Sequence, residues 1–99
     1  MDLAGRGWLI DGKTVSPDAL SLRVVRLGRQ RFELVLATSL PPLANLRLRV
    51  WFPGTERESE DIYAKVLAAA PVDGGHRARV QLTSVDPADR ATIERILGV

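Results

Sequence analysis

Hydrophobic residues recur along this chain mostly at every second position, the period of a strand with one face on a core and the other in water. Leu20, Leu22 and Val24 alternate with Ser21, Arg23 and Val25, and Phe32, Leu34 and Leu36 alternate with Glu33 and Val35. Leu46, Leu48, Val50 and Phe52 alternate with Arg47, Arg49 and Trp51, the cleanest strand pattern in the sequence. Ile62, Ala64, Val66 and Ala68 predict a strand over Ile62–Ala70 with those four on one side, although its alanines would also suit a helix. Ala78, Val80 and Leu82 alternate with Arg77, Arg79 and Gln81. Near the start, Trp8-Leu9-Ile10 and Thr14-Val15 flank Asp11-Gly12-Lys13 and predict a short hairpin. Arg26-Leu27 breaks its alternation, which predicts a bulge or the end of that strand.

Turn chemistry separates these runs. Gly28-Arg29-Gln30-Arg31 reads as a turn, and Pro41-Pro42 forces a loop because neither residue can donate to a ladder. Pro53-Gly54 ends a strand, Thr55–Asp61 is a charged, mostly acidic hairpin loop accounted for by solvent exposure, and Pro71–Gly75 is a turn. At Asp86-Pro87-Ala88-Asp89 the period changes. Asp86 suits an N-cap, Pro87 the first helical position and Asp89 the positive end of the helix dipole, so a helix is predicted over about 87–97, stopped by Gly98. Ile93, Ile96 and Leu97 form one apolar stripe, hence one packing partner: an open mouth or face of the sheet, or alternatively another protein. The expected architecture is mainly β: a single domain over residues 1–99, a small antiparallel barrel of six to seven strands with one C-terminal helix.

Composition narrows the function classes. Ninety-nine residues, 45% hydrophobic and 26% charged, make one ordinary globular domain and argue against disorder. The absence of cysteine removes disulfides, thiolate metal sites and cysteine nucleophiles, and fits a reducing compartment. With no secretory leader pattern and no run of 18 apolar residues, the expectation is a cytoplasmic protein without a membrane span. The net charge of +2 is unevenly spread. Met1–Val50 carries eight Lys/Arg against four Asp/Glu, and Trp51–Val99 six against eight.

No catalytic constellation emerges. His76, the one histidine, has no serine or aspartate beside it in a nucleophilic pattern and is expected at the surface. Glu56, Glu58, Glu60 and Asp61 lack the order of a calcium loop, and there is no phosphate-cradling Gly-Lys run. An enzyme, a metal site and a cofactor are therefore not expected, and a binding surface remains. Arg47 and Arg49 share one polar face, Arg77 and Arg79 another, and the two pairs with Trp51 would make a nucleic-acid surface if they aligned. The plainer reading is arginine stems covering sheet with their heads in water.

Ala78–Arg90 running on to Ile93-Glu94-Arg95-Ile96-Leu97, with Phe32–Pro42 and Leu46–Val50, resembles the last strand and closing helix and the central strands of the PilZ domain. PilZ is the bacterial module whose usual ligand is cyclic di-GMP. The resemblance implies a PilZ-like barrel, but the residues with which the family binds its ligand are missing. No two arginines stand in an Arg-x-x-x-Arg segment, and no serine lies two residues after Asp or Asn. Where that turn motif would fall, the sequence reads Arg26-Leu27-Gly28-Arg29-Gln30-Arg31. Arg23, Arg26, Arg29 and Arg31 are the residues left to attract an anion or nucleotide. The resemblance thus implies an adaptor of a bacterial signalling or motility system that binds another protein and not cyclic di-GMP. The nucleic-acid module is the alternative. A homodimer, with Trp8–Val15 pairing to a second chain, is a further expectation to test.

Overall fold

The computed structural model describes Asp2–Gly98. Seven strands, β1 (Leu3–Asp11), β2 (Thr14–Val15), β3 (Leu20–Leu27), β4 (Arg31–Leu36), β5 (Asn45–Val50), β6 (Ile62–Val72) and β7 (Gly75–Ser84), precede one helix, α1 (Pro87–Leu97). Every pairing is antiparallel. The ladder runs β1-β3-β4-β7-β6-β5, and β5 pairs back onto β1 to close a six-stranded barrel to which β2 adds an extra strand. Closure satisfies the backbone polar groups that an open sheet would leave on two edges. Among the described residues no helix is long and apolar enough to cross a membrane.

The alternating residues converge as their period requires. Val24, Phe32, Leu34, Leu46, Leu48 and Val50 are fully or almost fully buried in one core with Ile62, Val66 and Val80. Bulges help decide which residues leave it. Val25 is the extra residue of a bulge between Val24 and Arg26, so Val24 and Leu27 both face inward while Arg23 and Arg26 both face out. A second bulge, between Val66 and Ala68, turns Ala68 outward. Ala68 is exposed, contrary to the simple alternation that placed it beside Val66.

The first strand is longer than its hydrophobic pattern suggests, because its inward positions between Leu3 and Leu9 are Gly5 and Gly7. A Cβ on Gly5 would stand 3.0 Å from both the Arg49 carbonyl oxygen and Leu22 Cδ1. Leucines from β3 and β5 therefore fill the space that side chains on β1 would occupy. This strand also has partners on both sides, β3 or β2 on one and β5 on the other, with Ser16 N–H donating to Leu9 O at 2.8 Å. Within the Trp8–Val15 segment β1 is therefore paired on both sides, and the edge left for a second chain is that of β2, whose one partner among the described residues is β1. The β6–β7 hairpin likewise turns more tightly than expected, since Pro71 and Val72 remain in β6 and only Asp73-Gly74 connect the strands.

The helix has the predicted caps. Asp86 accepts from Ala88 N–H at 3.0 Å, Pro87 opens the first turn, and Gly98, at φ 78°, closes it. Ile93 is fully buried in the barrel core and Ile96 packs half-buried beside it. Leu97 is 37% exposed and does not complete the stripe. Polar contacts fix the helix across the barrel end: Asp89 accepts from Glu60 N–H at 2.9 Å, Arg29 pairs with Glu94 at 2.8 Å, and Arg90 donates to Arg29 O.

Candidate interaction surfaces

The two arginine pairs expected to form one stripe lie on different parts of the barrel. Strand β6 separates β5 from β7. Arg47 stands opposite Tyr63 on β6 and Trp8 on β1. Arg77 and Arg79 stand opposite Ala70 and Ala68, past the last β5–β6 pair, and opposite Val35 and Glu33 on β4. Thus Arg47, Arg49 and Trp51 do not combine with Arg77 and Arg79, because β5 ends before β6 reaches their level.

The outer face of β1, β5 and β6 holds an aromatic–arginine cluster. Alternation points Trp8 away from the core, yet it is only 8% exposed. The Arg47 guanidinium carbon lies 4.6 Å from its ring centroid and that of Arg6 5.1 Å. Carboxylates fix these arginines. Arg6 makes a two-pronged pair with Glu58 at 2.7 and 2.8 Å, and Arg49 Nε donates to Asp61 Oδ1 at 2.7 Å. That hydrogen bond, aided by the same carboxylate's charge, raises the Arg49 pKa. Arg47 Nε, buried and without a hydrogen-bond partner among the described residues, lies 3.9 Å from the same Asp61 oxygen.

The Thr55–Asp61 segment is therefore more than the solvated loop its charge suggested. Besides Glu58 and Asp61, it contributes Ser59, whose buried hydroxyl accepts from Val50 N–H at 3.0 Å and donates to Glu60 O at 2.9 Å. Trp51 and Tyr63 frame the face and remain 48% and 38% exposed. Trp51 is held in place: its backbone N–H donates to Ala4 O at 2.9 Å and its indole N–H to Thr55 O at 3.3 Å.

A second, basic face covers the outside of β3, β4 and β7. The register forms one row of Arg26, Glu33 and Arg79, with Arg23, Val35 and Arg77 on one side of it and Arg31 and Gln81 on the other. Glu33 takes Arg77 at 2.9 Å and lies 4.0 Å from Arg26. The Arg77 hydrogen bond is the main cause of a Glu33 pKa below the ordinary value, despite opposition from partial burial. Arg31 donates to Gln81 at 3.1 Å, Arg23 pairs with Asp2 at 2.9 Å, and Arg79 makes no ion pair among the described residues.

Of the four arginines nominated for an anion, Arg26 and Arg31 share a depression of about 280 Å³ with Gly28, Glu33 and Arg79. Arg23 lines a separate depression, and Arg29 turns to the helix. His76 is half-buried opposite Leu36 and Pro71. A third depression, about 580 Å³, lies between the acidic loop and the helix start, lined by Glu58, Glu60, Asp61, Asp86 and Asp89. Burial raises the Asp89 pKa there, against the lowering effect of its hydrogen bond from Glu60 N–H.

Sequence reasoning missed Arg6, Trp8, Glu58, Asp61 and Tyr63 as parts of one face. Their signal was partial: Arg6 and Trp8 share strand parity, but only barrel closure sets β1 beside β5. In comparisons with known proteins, no family model, no curated protein and no solved structure matches the chain.

Proposed function

We propose that this chain is a non-catalytic, PilZ-like adaptor of a bacterial signalling or motility system, working in the cytoplasm by binding another protein through its aromatic–arginine face. The carrying observation is the arrangement of Trp51 and Tyr63, 48% and 38% exposed, around guanidiniums held by Glu58 and Asp61. Tryptophan, tyrosine and arginine dominate the energetics of protein interfaces. A surface whose arginines are already ordered loses less side-chain entropy when it docks. Glu58 and Asp61 also offset the charge of this face, which favours a mixed polar and apolar partner surface over a strongly acidic one.

The same reading holds that the domain does not bind cyclic di-GMP. The arginines nearest the expected ligand turn do not act as one group: Arg23 is paired with Asp2, Arg29 is paired with Glu94, and Arg26 and Arg31 flank a carboxylate. Holding one compact dinucleotide would require all four to converge on a single point, and Arg23 and Arg29 are committed elsewhere. Isothermal titration calorimetry with cyclic di-GMP tests this part directly. The expected result is no saturable heat. Saturable sub-micromolar binding would overturn the reading.

A further inference from the structure

We propose that the outer face of β3, β4 and β7 is a second binding surface, which takes the phosphate backbone of duplex nucleic acid without reading its bases. It lies apart from the aromatic–arginine face and does not rest on the adaptor reading. Arg26, Arg31, Arg77 and Arg79 are exposed on three adjacent strands, and Glu33 is the carboxylate among them. Neighbouring strands are about 4.8 Å apart and same-face residues about 6.7 Å apart along a strand. The four arginines are thus distributed over three strands: Arg77 and Arg26 face the Glu33 carboxylate, Arg31 donates to Gln81, and Arg79 makes no ion pair among the described residues. That distribution suits a polymer carrying repeated negative charge.

The side chains favour a nucleic-acid backbone over other polyanions. All four cations are arginines, whose planar fork matches phosphate oxygens in two-pronged contacts. Trp8, Trp51 and Tyr63 all lie on the other face, so β3, β4 and β7 carry no such platform for an unpaired base, and recognition by stacking is absent from the proposed mode. The exposed apolar residues beside this surface are Ala68, Ala69, Ala70 and Val72, which lack the aromatic or leucine side chains with which an interfacial membrane anchor enters a bilayer. In the free protein Glu33 holds Arg77 at 2.9 Å and lies within 4.0 Å of Arg26. On binding, phosphate oxygens replace Glu33 as the acceptor for these arginines, so Glu33 restrains affinity.

The test is fluorescence anisotropy of a labelled, mixed-sequence 20-base-pair DNA duplex with the full chain, across a salt series from about 50 to 200 mM. Four phosphate contacts predict a slope of log affinity against log salt of about −3.6. Arg77→Ala/Arg79→Ala should weaken binding at least about tenfold at the low-salt end and bring the slope to about −1.8. Glu33→Gln should tighten binding. Arg57→Ala/Arg95→Ala removes the same charge elsewhere and should have the smaller effect, with circular dichroism melts confirming that each variant is folded. The proposal is overturned by no binding at about 50 mM salt, or by equal losses in the two double variants, which would show net charge alone. Tighter binding to phosphatidylglycerol vesicles than to the duplex would also overturn it, assigning the face to a membrane.

Discussion

The guanidinium of Arg47 lies over the ring of Trp8, 4.6 Å from its centroid, so an indole on the outside of the barrel is shielded by a cation. Asp61 and Glu58 hold this cover in place through Arg47, Arg49 and Arg6. Removing the cover exposes the indole and loses the attraction between cation and ring. Arg47→Ala should therefore cost about 1 to 2 kcal/mol in urea denaturation. In a Trp51→Phe background, Trp8 emission should shift to the red. An unchanged spectrum would show that Arg47 does not cover the ring.

Ser59 joins the acidic loop to the end of β5. Ser59→Ala leaves Val50 N–H without its hydroxyl acceptor and should destabilise the fold by about 1 to 3 kcal/mol. For a domain of this size that corresponds to a melting-temperature drop of roughly 4 to 24 °C, measurable by calorimetry. Ser59→Thr, which retains the hydroxyl, should lose less.

One side chain of the helix, Ile93, is fully buried in the core. Ile93→Ala should cost about 2 to 5 kcal/mol, because it empties a fully buried position. Leu97→Ala, at a 37% exposed position, should cost less than Ile93→Ala in the same denaturation series. Equal losses would place Leu97 in the packing stripe that its helical spacing assigned to it.

Acid should weaken the basic face through Glu33 and relieve the helix start through Asp89. The lowered Glu33 pKa means that its pairing stabilises the fold fully above the ordinary value of 4.5 and that this contribution is lost as pH falls through the lower folded value. Glu33→Gln should therefore be less stable than the parent at pH 7, and the gap should narrow as pH falls below 4.5. Asp89 has the opposite sign. Its raised pKa penalises the ionised form of the fold above that value, and the penalty disappears as pH falls towards and below 3.8. Asp89→Asn keeps an oxygen for Glu60 N–H and should stabilise the protein at pH 7 but not near pH 3. Urea denaturation of both variants at the two pH values checks the signs.

The barrel was legible wherever inward positions carry large apolar residues, as at Phe32–Leu36 and Leu46–Phe52, and the helix was legible from Asp86, Pro87 and Gly98. It was obscured where packing breaks the pattern. Gly5 and Gly7 hide the first strand because neighbouring leucines fill their space, and the bulge after Val66 reverses Ala68. The binding faces were less legible still. Strand parity identified outward arginines, but the β5–β1 closure and the position of β6 decide their neighbours. Arg47 thus joined Trp8 and Tyr63, while Arg77 and Arg79 joined Arg26 and Arg31.

The adaptor reading depends on protein contact at one face of this barrel. Its most direct test is site-specific photocrosslinking in the native cells, with a benzophenone amino acid at Tyr63 and, in parallel, at Val72, a second exposed apolar position away from the cluster. The account predicts one discrete crosslinked protein from position 63 that is absent from position 72 and is lost when Trp51 is changed to alanine. No crosslink from position 63, or the same products from both positions, would contradict it.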